Sequence, residues 1–330
     1  MPPNSTPRPR ISTPRRPVHG VLLLDKPLGL SSNDALQKVK RLYRAEKAGH
    51  TGTLDPLATG LLPICFGAAT KFSQVSLDAD KRYTATLQFG VTTTTADAEG
   101  EVIETRPVEM PDGSPITQQH LEAACAEFTG QISQLPPMFS ALKRDGKPLY
   151  EYARAGIEVE REPREVTIHR IDVFDFTTPN LCTLDIHCSK GTYIRTLAED
   201  IGKSLGCGAH LAALRRTETG PLTLRNASTL DQLQAMDERQ LGAVLQSADT
   251  LIADWPLIRL DADNAGRFLS GVRRRGSWPD APHIRVYGPQ ELALLGSAHV
   301  TAGELISDRL LSPTEVEELL AAPQVLCGDP

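Results

Sequence analysis

The chain has 330 residues, 40% of them hydrophobic, and a formal net charge of −6, the profile of a soluble globular protein with room for more than one domain. Its six cysteines, Cys65, Cys125, Cys182, Cys188, Cys207 and Cys327, are scattered without a C-x-x-C pair. That spacing argues against a zinc cage and a small disulfide scaffold, and it points to a reducing cytoplasm.

Residues 1–17, "MPPNSTPRPRISTPRRP", carry four arginines among prolines and no apolar core, so they read as a disordered basic tail and not as a secretory signal or membrane anchor. Residues 1–100 hold 13 Lys+Arg against 8 Asp+Glu, and the other 230 hold 22 against 33. The acidic total thus conceals a basic N-terminal third, which permits a phosphate-binding face.

"GVLLLDKP" (20–27) is a short apolar run closed by proline, the pattern of a buried strand. "SSNDALQKVKRLYR" follows as a helix with Ser31 or Ser32 as N-cap and Leu36, Val39, Leu42 and Tyr43 on one stripe. Lys38, Lys40, Arg41 and Arg44 fall largely elsewhere, on a face that either meets phosphates or is simply solvated. "LLPICFGAATKF" reads as strand then turn. "KRYTATLQFG" (81–90) alternates Tyr83, Ala85, Leu87 and Phe89 with polar residues, a strand with one buried face. "TQQHLEAACAEFTG" is a helix stopped near Gly130.

Residues 135–156 interleave Lys143, Arg144, Lys147 and Arg154 with Tyr150 and Tyr152, a composition that suits phosphates and bases as well as an ordinary exposed loop. Two further strands, "REVTIHRIDVFDF" and "LCTLDIHC", precede "SKGTYIRTLAEDIG", where Arg195 sits near a helix start against the helix dipole. A nearby carboxylate should compensate it. The pattern is a mixed α+β body to about residue 250, then a smaller module with short strands in "HIRVYG" and "HVTAGELI". No internal repeat is evident.

Between the first helix and the next strand lies "GHTGTLDPLATG" (49–60), one carboxylate, Asp55, among glycines, threonines and a proline. These are also the ordinary residues of turns, so this loop alone leaves both a structural and a catalytic reading open.

Seven stretches in fixed order decide more than any one: "LLLDKPLGLSSNDAL", "AGHTGTLDPLATGLLPI", "ATKFSQ", "DKRYTATLQFG", "SALKRDGKPLYEYAR", "IHCSKGTYIRTLAEDIG" and "CGAHLAALRRTETG". Together they resemble the bacterial tRNA pseudouridine-55 synthases, the TruB family, strongly over residues 18–230 and weakly beyond. The resemblance implies a pseudouridine synthase domain over 18–250, built on a mixed, largely antiparallel sheet flanked by helices. It also implies an RNA-binding thumb at about 130–160 and a small, mostly β, PUA-like RNA-binding domain over 251–330. The implied reaction breaks the C1′–N1 bond of uridine 55 in the tRNA T-loop, turns the base and rejoins it through C5. It requires no metal and no organic cofactor. The implied partner is the T-arm and elbow of tRNA, met in the cytoplasm by a monomer that needs no obligate protein partner and no membrane.

By the same resemblance Asp55 is the catalytic carboxylate, Arg195 its cation and Tyr83 the ring that stacks on the flipped uracil and handles protons. Leu214 walls the uracil pocket, and Tyr193 belongs to the same substrate site. His50 fills the gap left in the RNA stack when a base leaves it. Lys26 and Pro27 support the active-site loop. Lys71, Lys143 and Arg144 lie in regions implied to contact RNA. Where the family shows Thr-Asp-Thr, this chain has "TTTTADAEG": Thr94 takes the aspartate position and Asp97 keeps the second acidic one, which bears on local loop hydrogen bonding. Two other readings remain at this point, a uridine glycosylase that admits water and a catalytically idle RNA-binding or tRNA-folding protein.

Overall fold

The computed structural model describes residues 14–178, 180–290 and 293–321. Most of the tail expected over residues 1–17 lies outside the described residues. Its end does not: Arg16 bridges Ala45, bonds the Tyr43 carbonyl through Nε at 3.1 Å and pairs with Glu238. The ordered body therefore includes Arg16, two residues before the expected boundary.

Strand β1 (Gly20–Lys26) is buried almost throughout, as its unbroken apolar run requires. Helix α1 (Ser32–Leu42) is capped by Ser31, whose hydroxyl accepts from the Asp34 amide, and it buries Leu36 and Val39. Strands β2 (Ala48–His50) and β3 (Ala58–Phe66) flank the Asp55 loop. A 3-10 turn (Gly67–Phe72) and helix α2 (Ser73–Asp78) lead to β4 (Lys81–Phe89), whose odd residues are buried and even residues half-buried. A hairpin of β5 (Val91–Thr93) and β6 (Val102–Thr105) precedes helix α3 (Gln118–Glu127) and β7 (Gly130–Gln134). The expected thumb begins there. It carries a two-residue hairpin, β8 (Lys143–Arg144) with β9 (Lys147–Pro148), and helix α4 (Leu149–Arg154).

Strands β10 (Arg164–Thr178) and β11 (Leu181–Cys188) pair antiparallel, and helix α5 (Ile194–Ser204) follows. Strand β12 (Ala209–Thr219) returns through the middle, and β13 (Leu222–Thr223) and β14 (Ser228–Thr229) close the set. The ten-stranded sheet runs β14-β1-β3-β12-β4-β11-β10-β7, with β2 on β3 and β13 on β12. Only β1–β14 and β3–β12 are parallel pairs. The fold is α+β with a mixed, largely antiparallel sheet, as the sequence led one to expect.

A second, five-stranded sheet is built from β15 (Leu257–Arg259), β16 (Arg274–Arg275), β17 (Ala281–Tyr287), β18 (Leu294–Thr301) and β19 (Glu304–Leu310). The large sheet is covered on both faces. Leu22, Leu24, Ile64 and Leu87 pack with residues of α1 and α5, including Val39, Leu197 and Ile201. Their strand neighbours Val21, Leu23, Leu61 and Cys65 point the other way and share a core with Ile258, Phe268, Ile284 and Val300 of the second sheet's module. This two-sided burial explains why β1 shows no polar alternation.

Candidate active site

Asp55 lies in the loop between β2 and β3, and its backbone is pinned on every side. The Ser32 hydroxyl donates to the Leu54 carbonyl at 2.9 Å and accepts from the Leu54 amide at 2.7 Å. The Ala58 amide bonds the Asp55 carbonyl at 3.0 Å, and the Gly29 amide bonds the Pro56 carbonyl at 2.9 Å. Thr51 is buried under Ser76, and Gly52 turns the chain at φ +81°. Of the two serines offered as caps, one caps α1 and the other anchors this loop.

Arg195, second residue of α5, is the counter-charge. Its Nη2 is 2.8 Å from Asp55 Oδ2 and its Nη1 is 3.6 Å from Asp97 Oδ2. It also donates to the carbonyls of Thr95 at 3.0 Å and Phe139 at 2.6 Å. The guanidinium near a helix start is therefore held by two carboxylates, as its conflict with the dipole led one to expect. Asp97 is itself fixed by the Thr95 hydroxyl and, at 3.1 Å, by the Glu99 amide. Thr94, in the aspartate position, accepts from the Glu101 amide at 3.1 Å and leaves this cluster undisturbed. Burial raises the Asp55 carboxyl above the usual range, the Arg195 charge opposes that, and Asp97 adds to it.

Two adjoining clefts of about 610 and 390 Å³ meet at Asp55 and Arg195, which line both. The larger also touches His50, Phe139, Tyr150 and Arg154, so the segment around helix α4 forms one wall. The smaller is floored by Tyr83, Leu214 and Arg216 and edged by Tyr193. Tyr83 on β4 faces Arg216 on β12 in register, and Leu214 faces Ala58 and Ala85. The Tyr193 amide and carbonyl are both held by the side chain of buried Gln134. His50 leaves Nδ1 buried without a hydrogen-bond partner, and burial pushes its imidazole below the usual range. Lys26 is fully buried, donates to the carbonyls of Pro27 and Leu30, and is brought down to about 8 by burial against the pull of Asp55.

Three expected contact residues are placed elsewhere. Lys71 Nζ lies 2.7 Å from Glu315 Oε2 and 2.7 Å from the Leu310 carbonyl, so it ties the 3-10 turn to helix α9 (Pro313–Ala321) and the strand before it. Its partners are some 240 residues away in sequence, beyond any local pattern. Lys143 and Arg144 are exposed on the β8–β9 hairpin and line neither cleft; Arg144 donates to the Glu160 carbonyl. Asp80, His169 and His187 bring one ligand-type atom each within 4.8 Å of one another, and none of the three lines the clefts. No helix among the described residues is long and apolar enough to cross a membrane.

The sequence reading missed Arg216, the largest fully buried side chain among the described residues, and Ser32 as the loop anchor. The Arg-Arg-Thr run offers no periodicity that separates a buried arginine from a surface one. A glycine at 60 with a Cβ position only 2.2 Å from the Arg216 carbonyl would have hinted at the close approach of β3 and β12.

The family described as TruB family pseudouridylate synthase, N-terminal domain, matches residues 40–194, and the tRNA pseudouridylate synthase B C-terminal domain matches 195–253. The tRNA pseudouridine synthase B of Verminephrobacter eiseniae (strain EF01-2) is 55% identical over 325 residues, 98% of this chain and 96% of that protein. The chain belongs to the TruB family. The TruB relative from Cupriavidus metallidurans (strain ATCC 43123 / DSM 2839 / NBRC 102507 / CH34) is 57% identical over 307 residues, 90% of this chain and 96% of that one. Among solved structures, an H/ACA ribonucleoprotein bound to a substrate RNA containing 2′-deoxyuridine has a chain with TM-score 0.65 at 20% identity, covering 90% of this TruB chain and 86% of its own. A Cbf5–Nop10–Gar1 complex gives 0.64 at 22% identity, with 90% and 87% coverage. At these identities the two structures speak for the TruB fold alone.

Proposed function

We propose that this chain is a tRNA pseudouridine synthase that isomerises uridine 55 of the T-loop. The observation that carries the reading, beyond family membership, is the Asp55–Arg195–Asp97 cluster at the junction of two clefts, with Tyr83 and Leu214 on the floor of one. The flipped uridine enters the smaller cleft, where Tyr83 meets the base and Leu214 walls it. His50, at the larger cleft, fills the place the base leaves in the RNA stack. Asp55 reacts as the ionised form, either bonding to the sugar or base or taking the 2′ proton. Arg195 keeps that form available in a pocket where burial favours the neutral acid. Enclosure also matters, because a detached uracil that met water would leave an abasic site.

The thumb supports RNA binding, with Tyr150 and Arg154 already at the cleft and the Arg154 guanidinium 5.3 Å from the Tyr150 ring centre. Residues 251–330 act as a PUA-like RNA-binding module. Its acidic balance assigns most of the phosphate contacts to the catalytic body.

The test is tritium release from a T-stem-loop RNA labelled at C5 of its uridines, with the intact protein and Asp55→Asn, followed by mapping of the modified site. Release confined to uridine 55, and absent in the variant, is the expected result. Free uracil with an abasic site would instead make the protein a glycosylase. Tight binding with no release would make it an RNA-folding protein.

A further inference from the structure

Four cations are buried around the smaller cleft: Lys26, Lys81, Arg195 and Arg216. Arg195 has its two carboxylates. The lysines cap backbone carbonyls, Lys26 those of Pro27 and Leu30 and Lys81 those of Ser76, Leu77 and Ala79. Arg216 is 1% exposed, and its Nε and Nη2 donate to the carbonyls of Leu61 at 2.7 Å and Gly52 at 3.2 Å. Among the described residues no carboxylate lies within ion-pair distance of it. A buried guanidinium without a counter-ion is costly, so its retention calls for a task.

The two carbonyls it holds belong to the two ends of the Asp55 loop, Gly52 before the aspartate and Leu61 on β3 after it. Its register partner is Tyr83, and both line the same cleft as Asp55. We propose that Arg216 is a positioning residue for the isomerisation: from beneath the cleft it fixes the Asp55 loop and supplies, beside the Tyr83 hydroxyl, a positive charge for the anion of the detached base. This rests on the synthase reading above. When the C1′–N1 bond breaks, the bonding pair stays on N1 and the base becomes a monoanion. Asp55 meanwhile bonds to C1′ or takes the 2′ proton. C5 then joins C1′ as the Asp55–C1′ bond breaks or, in the elimination route, as the proton returns to C2′; the proton leaving C5 passes to a base and N1 takes up a proton, so the product is neutral. Through the first of these steps a fixed cation next to Tyr83 lowers the energy of the anion without having to reorganise.

The environment of Tyr83 agrees with this role. Burial raises its phenol above the usual range and the Arg216 charge opposes that, with Cys188 and Asp55 acting with burial. Arg195 and Lys81 also line this cleft, and Arg216 holds down Lys81, nearby Lys26 and, at the larger cleft, His50. Removing the Arg216 charge therefore moves Tyr83, Lys26 and Lys81 in one direction, upward.

The experiment compares wild type, Arg216→Met and Arg216→Lys in single-turnover tritium release across pH, with RNA affinity and thermal midpoint measured on the same samples. Arg216→Met should bind RNA within about threefold of wild type, lose about 100-fold in rate and show its alkaline limb at higher pH. Arg216→Lys should return about tenfold of that rate, with its limb near the wild-type position. A folded Arg216→Met with wild-type rate overturns the proposal, as does a lysine variant no better than methionine. If Arg216→Met does not fold, Arg216→Lys decides alone: it retains the charge but does not reach both carbonyls, so an unchanged rate or a displaced limb overturns the proposal. Absence of tritium release by the wild type would count against the synthase reading itself and is seen before any variant is made.

Discussion

Replacing Arg195 by methionine removes a guanidinium that is 6% exposed and satisfies two carboxylates and two carbonyls at once. Breaking a buried pair by deleting one partner costs about 3–5 kcal/mol. Two features of this site place the cost at the lower bound. Asp55 is 42% exposed, so water replaces the arginine there, and Asp97 keeps the Thr95 hydroxyl and the Glu99 amide. At about 3 kcal/mol, and about 1.5 °C per kcal/mol for a chain of 330 residues, the unfolding midpoint should fall by roughly 4–5 °C. Chemistry should suffer with a distinct signature. Arg195 is the group that opposes the upward shift of Asp55, so its loss raises that carboxyl further and moves the acid limb of single-turnover tritium release to higher pH. Scanning calorimetry and the pH profile are to be measured on Arg195→Met, and the loss of rate at neutral pH should be about 100-fold. An acid limb that stays in place while the rate falls would refute the electrostatic argument and leave Arg195 a purely structural residue.

Asp55→Asn should abolish turnover while leaving RNA affinity intact, and it should raise the unfolding midpoint at pH 7. The sign follows from linkage: an acid whose folded pKa lies above its unfolded value is penalised when ionised, and the penalty vanishes as pH falls below both values. The midpoints of variant and wild type should therefore converge as the pH is lowered from 7 toward the ordinary carboxylate range. Gly60→Ala puts a Cβ 2.2 Å from the Arg216 carbonyl at φ +97°, so it should cost about 3 kcal/mol or more in urea unfolding; a variant of wild-type stability would show that β3 and β12 separate easily. Lys71→Met should lower stability by about 1 kcal/mol through loss of Glu315 and leave the salt dependence of RNA binding unchanged. A slope reduced by about one would return Lys71 to the RNA interface.

Local chemistry made some elements readable from the chain alone. The alternation of β4 survives intact in its burial, and the Ser31 cap and apolar stripe of α1 stand where the spacing put them. Arg195 near a helix start demanded an anion, and two are present. Strand β12 was not read, because two register irregularities, at Leu211/Ala213 and Arg216/Glu218, break the period by which a strand is recognised. Its central place between β3 and β4 is a tertiary fact that no window of residues contains. The Lys71–Glu315 pair was hidden for the related reason that its two members lie far apart in the chain. The resemblance assigned roles to Asp55, Tyr83 and Arg195, but only the folded chain shows what stands beneath them.

The underside of β1 and β3 has a further meaning for anyone who would shorten this protein. Val21, Leu23, Leu61 and Cys65 share one core with the turns at Gly67–Phe72 and Thr250–Ile252, which lie against β1, and with Ile258, Phe268 and Val300 of the module that follows residue 253, where the family match ends. Cutting there would not release a spare part from a tether; it would divide a core to which β1, the strand that carries Lys26, belongs. The two halves of this molecule are better regarded as one casting, joined through a continuous core.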